Sequence, residues 1–229
     1  MNHIDTLHKV GFYCGRYNDG FWGEPQNALS NAAFIVAALF AFHVWKKQSQ
    51  GDRFQLWMIV LAGSIGIGSF IFHTMPNQAT LMVDLVPIQI FGLACIYYIA
   101  TRHFSARPAI AVSAIVGFAL LRQIWIFFAP RGGLGGGITH IPTIALLVTC
   151  GALLLKKGDQ TGKYLLIACL PYVASLIVRT VDLPLCSQFP FGLHWLWHIL
   201  TAAAAGTVLY GLIYDHDSSP GTVAACRSA

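Results

Sequence analysis

Residues 54–73 read FQLWMIVLAGSIGIGSFIFH. The stretch holds no Asp, Glu, Lys or Arg. Its apolar residues cover every face of a helix, not one stripe, as expected of a helix embedded in lipid or protein. About 20 mostly apolar residues cross a bilayer, so this stretch is a complete membrane span.

Six further stretches of the same kind lie on either side of it, at 28–45, 81–100, 108–129, 138–155, 164–181 and 193–214. Polar links separate them. Lys46 and Lys47 close the first, and residues 74–80 join the second to the third. Arg102 and Arg107 follow the third, and Lys156, Lys157 and Lys163 precede the sixth. Arg131 and a run of five glycines (Gly132, Gly133, Gly135, Gly136, Gly137) join the fourth to the fifth. The run lacks the GK[ST] ending of a phosphate loop and reads as a flexible link. The expectation is an all-α membrane protein: one seven-helix bundle over residues 1–229, with a polar N-terminal segment (1–27) and a short tail (215–229). The first 27 residues lack an apolar core segment, so no signal peptide is expected.

Composition agrees. Charged residues are 10% of the 229, against about 25% in soluble domains. Hydrophobic residues are 56% and the mean hydropathy is +0.62. These values exclude a soluble globular enzyme, a disordered chain and a coiled coil. The net charge of +5 does not point to nucleic acid, because the 14 Lys and Arg are scattered near span ends, where such residues anchor helices and set topology. One side of the membrane receives Lys46, Lys47, Arg53, Arg102, Arg107, Lys156, Lys157, Lys163 and Arg227. The other receives Lys9, Arg16 and Arg131, with Arg179 near its boundary. The positive-inside rule makes the first side cytoplasmic, with the N-terminus outside and the C-terminus inside.

Polar residues within spans are costly and mark function by default. Because spans alternate in direction, Glu24, Asn27, Ser69, His73, Asp84, Arg122, Arg179, Asp182, His194 and His198 all fall at the outer end. The cytoplasmic half is expected to carry only basic anchors and scattered histidines such as His43 and His103. A continuous ion path would need polar groups through the full depth, which argues against a channel or transporter.

His194 and His198 are four apart and share a helix face, the spacing of a two-histidine metal clamp, here without the glutamate of HExxH. His73 supplies a third nitrogen. Three histidines leave a fourth position open, the arrangement of catalytic zinc, and bound zinc lowers the pKa of water to about 7. Asp84 then reads as a general base and Ser69, one turn before His73, as a donor to an oxyanion. Each has a plainer alternative: span histidines often only bond neighbouring helices, and Ser69 alone reads as a packing serine. Arg179 and Asp182, three apart, are expected to pair with each other. His140 has no partner at ligand spacing and is left out of the metal group. The six cysteines show no CxxC spacing, so no zinc ribbon or thioredoxin motif is expected.

Taken together, Ser69-x3-His73, Asp84 and His194-x3-His198 resemble the alkaline ceramidases, part of a wider seven-span superfamily that includes the adiponectin receptors. The stretches FWGEPQNALSN (21–31), FIFH (70–73) and HWLWH (194–198) fit the same family, and the resemblance runs from about Tyr13 to Tyr214. It implies zinc on His73, His194 and His198, with Ser69 and Asp84 beside it, and hydrolysis of a lipid amide. The substrate partner is then a membrane lipid, ceramide or another N-acyl lipid, and no nucleic acid is involved. The oligomeric state stays open.

The resemblance also implies calcium in the N-terminal loop. Glu24 matches the last acidic position, and Asp19, Asn27 and Asn18 offer further oxygens, but Gly15 and Arg16 stand where acidic residues are expected. A Cys14–Cys186 disulfide is implied as well, with Cys95, Cys150, Cys169 and Cys226 as ordinary thiols. Compact loops and the lack of a retrieval signal favour a bacterial inner membrane with the site facing the periplasm, the alternative being an ER or Golgi membrane. Two other functions of the same cluster are a receptor-like lipid-binding protein with structural zinc and a lipid esterase of glycolipid remodelling.

Overall fold

A computed structural model describes residues 13–48, 51–130 and 133–214. Its described elements are helical throughout, and seven helices are long and apolar enough to cross a membrane. They are α1 (Pro25–Gln48), α2 (Arg53–Thr74), α3 (Gln78–His103), α4 (Pro108–Phe128), α5 (Gly137–Lys156), α6 (Thr161–Asp182) and α7 (His194–Tyr214). This arrangement fits a multi-pass membrane protein. Lys9, Arg131 and Arg227 lie outside the described residues, as does Cys226.

Local chemistry sets the helix ends. The Asp52 carboxylate accepts the Phe54 and Gln55 N–H groups and caps α2. Asn77 and Thr80 form a reciprocal cap on α3, satisfying amides that a helix start leaves without partners. That cap starts α3 at Gln78, three residues earlier than the apolar pattern indicates. α3 also runs further, ending in a π-helical turn over Ile99–His103. Gly133–His140 winds as a 3₁₀ helix that runs into the first turn of α5, so much of the glycine run expected to be a flexible link is helical.

α1, α2 and α7 pack around the most deeply buried part of the bundle. Phe34, Ala38, Met58, Ile59, Ala62, Ile65, Leu209 and Leu212 fill an apolar layer there. Glycine lets the helices approach closely: a Cβ on Gly68 of α2 would strike the Val83 carbonyl of α3 and come within 3.3 Å of the Asp84 Cα. α4 is the opposite case. Ala111 is its one buried residue among those described.

The cytoplasmic-assigned end holds more than anchors, contrary to expectation. Gln55 Nε2 donates to Tyr98 Oη (2.7 Å) and to the Leu212 carbonyl (2.9 Å), and Tyr98 in turn donates to Asp52 (3.0 Å). His103 Nδ1 meets Asp159 at 2.7 Å. These bonds join α2, α3, α7 and the link before α6 at that end. The apolar layer separates them from the polar residues at the other end.

Candidate metal centre

The last turn of α2 carries His73, and the first two turns of α7 carry His194 and His198. All three are buried. Their ring centroids lie 4.5–5.3 Å apart, and one nitrogen from each falls within 4.8 Å of the others. Two of the rings are oriented from behind by the first turns of α1 and the residue that precedes it. His73 Nδ1 donates to Glu24 Oε2 at 2.6 Å. His198 Nδ1 meets Ser30 Oγ at 2.8 Å, and that hydroxyl donates to the Asn27 carbonyl at 2.9 Å, so it accepts the imidazole proton. Both histidines thereby keep Nε2 for a metal, the usual way an outer hydrogen bond selects the ligating nitrogen. His194 Nδ1 is buried with no hydrogen-bond partner among the described residues. Tyr13 stacks on the His194 ring at 3.6 Å. Three buried imidazoles, two with their second nitrogen already hydrogen-bonded, fit a metal ion that favours nitrogen ligands.

Asp84 lies beside His73, and Ser69 beside Asp84. Asp84 is buried, within electrostatic reach of His73 and hydrogen-bonding reach of the Ser69 side chain. The close α2–α3 approach at Gly68 brings them together.

Glu24 sits just before α1. Burial alone would raise its pKa. The hydrogen bond from His73, the Asn27 amide and the Arg16 guanidinium outweigh that and hold it below the ordinary glutamate value. The calcium expectation fares differently from the metal one. Glu24 Oε1 faces Arg16 Nε at 2.7 Å, and Oε2 faces both His73 Nδ1 and Asn27 Nδ2. The Asn27 amide nitrogen donates to Glu24 while its Oδ1 is buried with no hydrogen-bond partner among the described residues, and Asp19 is exposed on the turn. Both Glu24 oxygens are thus engaged by nitrogen donors, whereas calcium takes oxygen ligands.

The pairing of Arg179 with Asp182 also gives way to another arrangement. The Asp182 carboxylate accepts the Cys14 N–H (3.0 Å) and the Leu193 N–H (2.6 Å), tying the N-terminal segment to the start of α7. The Arg179 guanidinium lies over the Tyr13 and Trp197 rings at 5.3 and 5.0 Å, at the rim of the histidine group. His140, left out of the metal group on spacing, bonds Tyr172 at 2.8 Å instead. Cys14 and Cys186 form a disulfide, and Cys95, Cys150 and Cys169 are free. Gly15 and Gly192, both at positive φ, let the two disulfide-bearing segments meet backbone to backbone.

Sequence reasoning missed Ser30 and the part played by Arg16. The signal for Ser30 was present: Glu24, Asn27 and Ser30 recur every third residue and so share one face at the start of α1.

Comparison with curated proteins gives no match. A family model described as Ceramidase matches residues 20–222, a stretch that contains all three histidines, Asp84, Ser69 and every helix of the bundle. On that match, the chain belongs to the ceramidase family.

Proposed function

We propose that this protein is a zinc-dependent amidohydrolase of the membrane. It cleaves the N-acyl amide of ceramide or a related lipid, giving a fatty acid and a sphingoid base or amino lipid. The observation that carries the reading is the buried group of His73, His194 and His198, with Asp84 and Ser69 beside it at one end of the bundle. Family membership points to the same bond.

His73, His194 and His198 would hold the zinc. Bound there, the ion supplies a Lewis acid that polarises a carbonyl and makes water acidic enough to react at neutral pH. Asp84 accepts the proton of the attacking water and returns it to the nitrogen of the leaving amine. Ser69 donates to the oxygen on which negative charge develops. Glu24 and Ser30 keep the His73 and His198 rings in register, and Tyr13 covers His194.

The bundle is read as a single domain lying with its N-terminus outside, because the described loops at the end away from the histidines carry most of the basic residues. In a bacterial inner membrane the site faces the periplasm; in an ER or Golgi membrane it faces the lumen.

Mass spectrometry of a panel of amide and ester lipids, before and after incubation with the purified protein, tests the reading. The expected result is loss of N-acyl lipid with matching release of fatty acid and amine, abolished in His198→Ala. Equal turnover by that variant would sink the metal mechanism. Cleavage of esters alone would move the assignment to a lipid esterase.

A further inference from the structure

Arg16 has no part in the chemistry above, yet its guanidinium lies at the centre of the loop leading into α1. Nε meets Glu24 Oε1 at 2.7 Å, and Nη1 donates to the Asn18 carbonyl at 3.2 Å. The backbone folds round it. Tyr17 N–H donates to the Gly23 carbonyl and Gly23 N–H to the Gly20 carbonyl, both at 2.8 Å. Gly20 N–H donates to Asn18 Oδ1, also at 2.8 Å. The turn is so tight at Gly23 that a Cβ there would lie 2.9 Å from Arg16 Nη1.

We propose that Arg16 is the loop's own cation: its guanidinium does the work assigned to calcium, so the loop needs no divalent ion. Glu24 is buried, and its two oxygens already face nitrogen donors from Arg16, His73 and Asn27. The Asn18 carbonyl faces Nη1, and Asn18 Oδ1 faces an amide. Calcium takes six to eight oxygens. Placed here, it would have to displace a charge-assisted bond and sit beside a fixed positive charge. The planar guanidinium fork suits a carboxylate and a carbonyl together, which a point charge cannot match in direction.

The arrangement also makes Arg16 a positioning residue for the metal centre. It holds Glu24 Oε1 while Oε2 accepts from His73, so the His73 ring is fixed through two successive charged contacts. Outer partners of this kind commonly set metal affinity.

Two measurements test the proposal, and only the second rests on the zinc reading. The first compares thermal melting of the detergent-purified wild type in EGTA and in millimolar calcium. Coincident curves are expected. A rise of several degrees with calcium, lost in Asp19→Ala, would overturn the proposal, and this arm needs no variant of Arg16 to fold. The second is competition for zinc between a chelator and the protein, wild type against Arg16→Ala, on samples that elute as the same folded species. A loss of about tenfold in zinc affinity is expected, and equal affinities would remove the positioning role. A wild type that binds no zinc would instead count against the hydrolase reading and leave the calcium result standing.

Discussion

The Glu24 carboxylate and the His73 imidazole meet at 2.6 Å between Oε2 and Nδ1. One residue precedes the first membrane helix and the other ends the second, so a single bond joins the mouth of the bundle to the metal centre. Glu24→Gln keeps the shape but removes the charge that draws the Nδ1 proton. Its zinc affinity should fall by about 10–100-fold, measured by chelator competition. An unchanged affinity would show that the His73 ring is held by packing alone.

Ser30 does for His198 what Glu24 does for His73, but as a neutral acceptor. Ser30→Ala should therefore weaken zinc less than Glu24→Gln does, in the same competition assay. The reverse order would contradict the stronger hold expected of a charged acceptor.

Asp84 and Ser69 should separate chemistry from binding. Asp84→Asn should retain zinc by metal analysis while turnover drops by about 10²–10⁴-fold. Ser69→Ala should also retain zinc and lose turnover. Loss of zinc in either variant would place that residue in the metal shell instead.

Gly68 is a steric test of the α2–α3 contact. A methyl group there meets the Val83 carbonyl and the Asp84 Cα. Gly68→Ala should cost about 1–3 kcal/mol and lower activity by shifting Asp84. Gly117→Ala on α4, with nothing within 4 Å of the added carbon, should be silent. Equal melting temperatures for the two variants would refute the close approach.

The disulfide should contribute measurably. Replacing Cys14 and Cys186 together by serine should cost about 2–4 kcal/mol, read as a lower melting temperature without reductant. A double variant that melts with the wild type would mean the Asp182 bonds to Cys14 and Leu193 suffice.

Seven spans were legible because lipid demands unbroken apolar length, and such length is visible in any single stretch such as 54–73. The start of α3 was not, because Asn77 and Thr80 read as link residues until their reciprocal cap is seen. His73, Asp84, His194 and His198 were legible by depth: alternating spans bring them to one end whatever the packing. The Gln55–Tyr98–Asp52 bonds were hidden because they depend on which helices touch, and hydropathy carries no such information. Arg16 was misjudged for a related reason. It was read as a departure from an acidic pattern, whereas it lies 2.7 Å from Glu24 and pairs with it, a contact that the linear sequence does not display.

The bond between Cys14 and Cys186 closes a loop across a sequence separation of 172. That loop contains α1 through α6, and only α7 continues beyond it. A protease that cuts any link within it leaves one molecule on a non-reducing gel and two fragments on a reducing one. During synthesis the ring can close only after the sixth helix has been made, and His194 and His198 emerge just behind the closing cysteine. Covalent closure and completion of the metal site therefore belong to the same late stage in the life of the chain, and a polypeptide stalled before Cys186 can have neither.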